Sequence, residues 1–138
     1  MSTLVIYYTF SGRTKVIAED LAATEPADIV QIKDAKHLNK LKAYTAGIVA
    51  SIRGKPWNIL PLDADFSKYD NLILLSPVWA SNPPPAVNAM LEQLPSGKSV
   101  SVKMVSRSGQ TECRARMEAL IENKGSILGS FEDVKVSN

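Results

Sequence analysis

Two kinds of segment alternate along this chain. Thr3–Tyr8 (TLVIYY) is a continuous apolar, β-branched run, the pattern of a strand buried on both faces. Arg13–Ala23 sets Val16, Ile17 and Leu21, with Ala18 and Ala22, at helical spacing. Ala27–Lys33 (ADIVQIK) alternates and predicts a second strand, at a sheet edge. Leu38–Arg53 carries Leu38, Leu41, Ile48, Val49 and Ile52 near a 3.6-residue period, and Gly54 and Pro56 end that helix. A loop containing Pro61 leads to Asn71–Ser76 (NLILLS), another fully buried strand. Pro84–Leu94 is a helix with proline in its first turn. Val100–Ser106 then predicts a strand, Thr111–Lys124 a helix, and Ile127–Val136 a last strand with room for a break.

Strands joined by helices of this length imply a parallel α/β sheet with right-handed crossovers. No repeat or linker interrupts the pattern, so residues 1–138 read as a single domain. Ligands of such sheets bind beyond the carboxyl ends of the strands. That directs attention to the loops at Thr9–Thr14, Pro77–Pro83 and Arg107–Thr111.

Composition narrows the chemistry. A hydrophobic fraction of 45% and a charged fraction of 22% are ordinary for a globular protein. A net charge of +2 is too small to point to nucleic acid or a membrane. No apolar run approaches the ~20 residues that span a bilayer, and the first residues lack the basic opening of a secretory signal. Cys113 is the only cysteine and His37 the only histidine, which leaves no disulfide and no zinc-type cluster. A cytoplasmic, metal-free protein is the expectation.

Thr9-Phe10-Ser11-Gly12-Arg13-Thr14 joins the first strand to the first helix. Gly12 allows a tight turn and close approach to a ligand. The helix that follows starts with free N–H groups and a positive dipole end, which suits an anion. Thr9, Ser11 and Thr14 add hydroxyl donors, so the loop can wrap a terminal phosphate without a metal. Plain helix capping by Ser and Thr is the simpler alternative.

These residues match a family. Thr9–Thr14 resembles the phosphate-binding loop of flavodoxins, and Leu72–Leu91 (LILLSPVWASNPPPAVNAML) is similar to their third strand, flavin-stacking loop and third helix. Ala46–Pro61, with Arg53-Gly54-Lys55, is similar to bacterial flavodoxin-like proteins. The resemblance implies a doubly wound five-stranded parallel sheet of order 2-1-3-4-5 and bound flavin mononucleotide (FMN). It implies that Pro77, Val78, Trp79, Ala80, Ser81 and Asn82 border the flavin ring, with Trp79 offering an aromatic face to a flat, apolar ligand. The alternative for Trp79 is simple packing. Trp57 lies before the third strand, away from the predicted strand ends, and is expected to pack.

Ser106, Arg107, Ser108 and Gly109 follow the fourth strand, where family members border the pyrimidine edge of the flavin. Arg107 facing the ring would favour the anionic reduced form; otherwise it is solvated. Cys113 opens the next helix, where a thiol pKa can fall, although packing is the commoner fate.

Rivals fail on particular residues. Gly97-Lys98-Ser99 lacks the earlier glycine of a P-loop, since Glu92 stands there, and it precedes a strand instead of following one. The first loop has no nucleophilic cysteine, and Tyr7, Tyr8 and Thr9 replace the acids of a response regulator. One histidine allows no Ser-His-Asp arrangement.

Flavodoxins end in a fifth helix, and the expectation from the residues after the last predicted strand is that it is missing here. Lys103 on the face that helix would cover agrees with an uncovered patch, or with a homodimer through that face. The resulting expectation is a redox protein working through FMN, toward a partner protein or a small electron acceptor. An electron carrier is favoured over a substrate-specific enzyme. A flavin-dependent reductase of a small acceptor such as a quinone, or a flavin-free module that kept the fold, are the alternatives.

Overall fold

The structure is a computed structural model that describes residues 2–10, 12–24, 27–35, 46–53 and 55–136. Five strands, β1 (Thr3–Tyr7), β2 (Asp28–Gln31), β3 (Asn71–Pro77), β4 (Ser99–Ser106) and β5 (Ile127–Lys135), form one sheet. The order is β2-β1-β3-β4-β5, and every pairing is parallel. The helices are α1 (Arg13–Thr24), α2 (Ile48–Arg53), α3 (Pro85–Glu92) and α4 (Arg114–Asn123), with a 3-10 turn at Phe66–Lys68. Of the long helix expected over Leu38–Arg53, the structure shows Ile48–Arg53; residues 38–45 lie outside the described residues.

The alternation of β1 explains why both sheet faces fill. Val5 and Tyr7 meet Ala18 of α1 and Leu75 of β3 in a small cluster on one face. Leu4, Ile6 and Tyr8 point the other way, into a larger core with Val102, Met104, Met90 and Met117. In β4, Val100, Val102 and Met104 join that larger core, whereas Lys103 on the opposite face pairs with Glu132 of β5 at 2.7 Å. Among the described residues, α1 is the helix packed against the face that carries Lys103.

Two irregularities have local causes. Pro84 caps α3 in an extended conformation and Pro85 opens its first turn, where a missing N–H costs nothing. In β5 the register shifts between Val100 and Ser101, whose partners are Leu128 and Ser130. Gly129 is therefore the extra residue of a β-bulge, which is the break anticipated in the last strand. A Cβ there would lie 2.7 Å from Ser99 Oγ, so any larger residue would require the Ser99 hydroxyl to turn away.

The topology fixes where a ligand can sit. β2 and β3 lie on opposite sides of β1, and the helices after β1 and β3 pack on opposite faces. A crevice opens at such a switch point, between the loops leaving β1 and β3.

Candidate functional site

The first loop turns on Gly12, whose φ of +95° is disfavoured for any side-chain-bearing residue. Its N–H donates to Thr9 Oγ1 at 2.9 Å, and its carbonyl accepts from Val16 N as α1 begins. Thr9 thus uses a lone pair and keeps its hydroxyl proton to donate. A Cβ built on Gly12 would meet nothing within 4 Å, so the turn faces open space. Thr14 is buried, Arg13 half-buried and Phe10 exposed; Ser11 lies outside the described residues.

The second loop is a miniature hairpin. Trp79 and Asn82 form an antiparallel bridge, with Trp79 N to Asn82 O at 2.8 Å and Asn82 N to Trp79 O at 3.1 Å. The two residues between them, Ala80 and Ser81, take φ of 51° and 65°. This is a type I′ turn, which normally selects Asn-Gly. Strain of about 1–3 kcal/mol per residue persists only where surroundings over-determine the backbone. Here Asn82 Nδ2 donates to Ala80 O at 2.8 Å, and Arg116 of α4 donates to Asn82 Oδ1 at 2.9 Å. The same guanidinium reaches the carbonyls of Ser51 and Ile52 in α2, each at 3.2 Å. Arg116 therefore bolts the last turn of α2 to the hairpin.

The two loops meet through rings. Phe10 contacts Trp79 edge-on, with centroids 5.9 Å apart, and Tyr8 and Trp57 also reach Trp79 edge-on at 6.2 Å. A Cβ on Gly47 would lie 2.6 Å from the Trp79 ring, so the α2 connection presses bare backbone against the indole. Trp79 remains only half-buried. Trp57 is thus part of this cluster, which corrects the expectation that it packs away from the strand ends. Asp34 holds the base of the cluster, accepting from Tyr8 Oη at 2.6 Å and from Trp57 Nε1 at 2.9 Å. Burial, and then the Asp34 carboxylate, push the Tyr8 hydroxyl well above its ordinary range, so Tyr8 stays a neutral donor.

The third loop is tied to itself. Gly109 N donates to Ser106 Oγ at 3.0 Å, and Gln110 N donates to Ser108 Oγ at 3.2 Å. Arg107 is exposed. No hydrogen bond or ring contact joins this loop to the other two among the described residues. Cys113 is buried, and burial raises its thiol pKa, so it packs and is not activated. Pro77 and Val78 are half-buried where β3 ends.

Tyr8, Asp34, Gly47, Trp57 and Arg116 were not expected at this site from the sequence. The strand alternation that puts Tyr8 in phase with Leu4 and Ile6 could have pointed inward for Tyr8. Nothing local marks the others, because the hydrogen-bond partners of Asp34, Trp57 and Arg116 are 23 to 65 residues away, and the Trp79 ring that Gly47 meets is 32 away.

No protein-family model and no curated protein matches the sequence. Solved structures do. A flavoprotein from Lactobacillus acidophilus, crystallised in complex with FMN, aligns with a TM-score of 0.78 at 22% identity, covering 96% of this chain and 93% of that one. The flavodoxin of Streptococcus pneumonia TIGR4 aligns with a TM-score of 0.60 at 16% identity, covering all of this chain and 87% of the other. This chain has the flavodoxin-like fold. In that fold the loops after β1 and β3 flank the switch point, where the Gly12 turn and the Trp79 hairpin meet. No helix among the described residues is long and apolar enough to cross a membrane, and no group of three or more His, Cys, Asp or Glu among them is placed to hold a metal.

Proposed function

We propose that this flavodoxin-like chain binds FMN at the carboxyl end of its sheet and carries electrons through it. The observation that carries the reading is the meeting of the two loops. An open glycine turn at the start of α1 lies one ring contact away from a half-buried tryptophan. The residues fit the group. The Gly12 turn leaves room for a phosphate, which the α1 N-terminus and the Thr9 hydroxyl favour. Trp79 offers an indole already braced by near-perpendicular contacts with Tyr8, Phe10 and Trp57, so little ordering is lost when a flat ring packs beside it. The FMN found in the Lactobacillus acidophilus flavoprotein supports the same ligand class.

When bound, the flavin supplies one- or two-electron redox chemistry. The chain's part is to bind it, shield one side and set its surroundings. Among the described residues of the site, the side chains bind and brace and none is placed as an activated nucleophile, which suits a carrier.

The test is titration of the purified chain with FMN. Flavin fluorescence should be quenched, and a 100-fold excess over Kd should stabilise the fold by about 2.7 kcal/mol. Micromolar FMN that gives neither quenching nor a thermal shift would overturn the proposal. A redox titration of the bound flavin then checks the carrier assignment, for which two separated one-electron steps are expected.

A further inference from the structure

The net charge of +2 conceals a separation of charge along the sheet. At the carboxyl ends of the strands, the connections and first helical turns hold Arg13, Lys15, Arg53, Lys55, Arg107 and Arg114. All but the half-buried Arg13 are exposed, and among the described residues none of the six is in an ion pair. Arg114 lies over the Phe131 ring, which leaves its charge uncancelled. The described acids at that end are Asp34, whose carboxylate is occupied by Tyr8 and Trp57, Asp133, which accepts from Thr111 Oγ1 at 2.9 Å, and Glu112. The opposite end is acidic, with Asp28, Asp65, Asp70, Glu92 and Glu122 outweighing Lys68, Lys98 and Lys124. An open concavity at that end, lined in part by Ser2, Asp28 and Tyr69, contains no cationic group.

The cationic end also exposes apolar side chains. Phe10 is 38% exposed, Val49 49% and Ile52 53%. Phe10 rests on Trp79, and α2, which carries Val49 and Ile52, is bolted to the Trp79 hairpin through Arg116. An apolar centre with a charged, solvated rim is the anatomy of a protein interface.

We infer that the cationic end is a docking surface for an acidic redox protein, which meets the cofactor edge beside Phe10 and Trp79. This rests on the FMN reading above. An extended polyanion such as RNA fits less well, because the cations ring an apolar centre instead of forming a stripe and the far end of the molecule repels it. On docking, the reduced flavin loses one electron and a one-electron acceptor in the partner gains it. Complementary charge acts mainly on the association rate, and salt screens it over about 10 Å at 0.1 M.

Native cytochrome c and its partially succinylated form, chosen for an unchanged haem spectrum, carry opposite net charge, so they serve as probes. Association with the full-length chain, with and without FMN, is measured by calorimetry at low salt, and needs no flavin. Binding is expected for the succinylated form only. With the FMN-loaded, photoreduced chain as the reductant, reduction of the succinylated form's haem should slow about tenfold as ionic strength rises from roughly 10 to 500 mM. With native cytochrome c it should not slow. The Arg53→Glu/Lys55→Glu variant should keep its FMN affinity and lose most of that salt response. A salt-independent rate, equal binding of both cytochromes, or tighter binding of a single-stranded RNA oligomer than of succinylated cytochrome c would overturn the inference. If FMN fails to bind while succinylated cytochrome c still does, the cofactor reading falls and the docking surface stands.

Discussion

The Gly12 turn and the Trp79 hairpin sit side by side but are built on opposite principles. In the first, a glycine occupies the positive-φ position and a neighbouring threonine, three residues away, completes the turn. In the second, alanine and serine occupy positive-φ positions that glycine and asparagine would take more readily. That turn is held by Asn82 and by an arginine 34 residues further along the chain. One loop carries its own geometry. The other borrows it from the packing of α2 and α4. A strained turn maintained from outside is a place where the fold spends stability on the position of a side chain, and the side chain here is Trp79.

Substitutions should separate the two designs. Gly12→Ala puts a Cβ on a backbone at φ +95° without any steric clash, so folding stability should fall by about 1–2 kcal/mol in chemical denaturation. FMN affinity should fall by at least about tenfold, because the Cβ enters the open space meant for the phosphate. An unchanged affinity would mean that the phosphate lies elsewhere.

Tyr8→Phe removes the hydroxyl that donates to Asp34 beneath the hairpin, at a cost of about 1 kcal/mol at neutral pH. The sign of its pH dependence follows from the raised pKa of Tyr8. The folded state holds that proton more tightly than the unfolded chain, so the contribution is full below pH 10 and is lost progressively above it. Stability of the native chain measured from pH 9 to 11.5 should therefore drop more steeply than that of the variant. Parallel curves would show that the Tyr8 hydroxyl is not held as the structure has it.

Arg116→Met keeps the aliphatic stem but unties α2 from the hairpin. Because Arg116 is exposed, the loss should be only about 0.5–1 kcal/mol. FMN affinity should fall severalfold as Trp79 gains freedom, and Trp emission should shift. Ser81→Gly should have the smallest effect and the opposite sign. It relieves a positive φ and should stabilise the free protein by about 0.5 kcal/mol. A destabilising Ser81→Gly would remove the contrast between the loops.

What could be read from the sequence follows the same division. The buried runs Thr3–Tyr8 and Asn71–Ser76, and the glycine turn after the first of them, are local signals, and they led to the observed strands and the first loop, whereas the sheet order was implied by the resemblance to flavodoxins. Trp79 could be placed in a loop by its flanking prolines. Its surroundings could not be seen, because Trp57, Asp34 and Arg116 approach it only after the chain has folded. Charge is likewise a property that composition reads only in sum. A net charge of +2 describes the chain, whereas a partner would meet one end of it.

The bulge at Gly129 bears on what the sheet does with its free edge. β5 borders the sheet, and an edge strand of nine residues is a template on which another chain could crystallise into a fibre. The extra residue puts the two halves of that edge out of step, so an incoming strand that matches one half misses its bonds on the other. Glu132, Asp133 and Lys135 add a charge cost to the attempt. The bulge at this one glycine, set close against Ser99, thus also works as a guard against self-assembly.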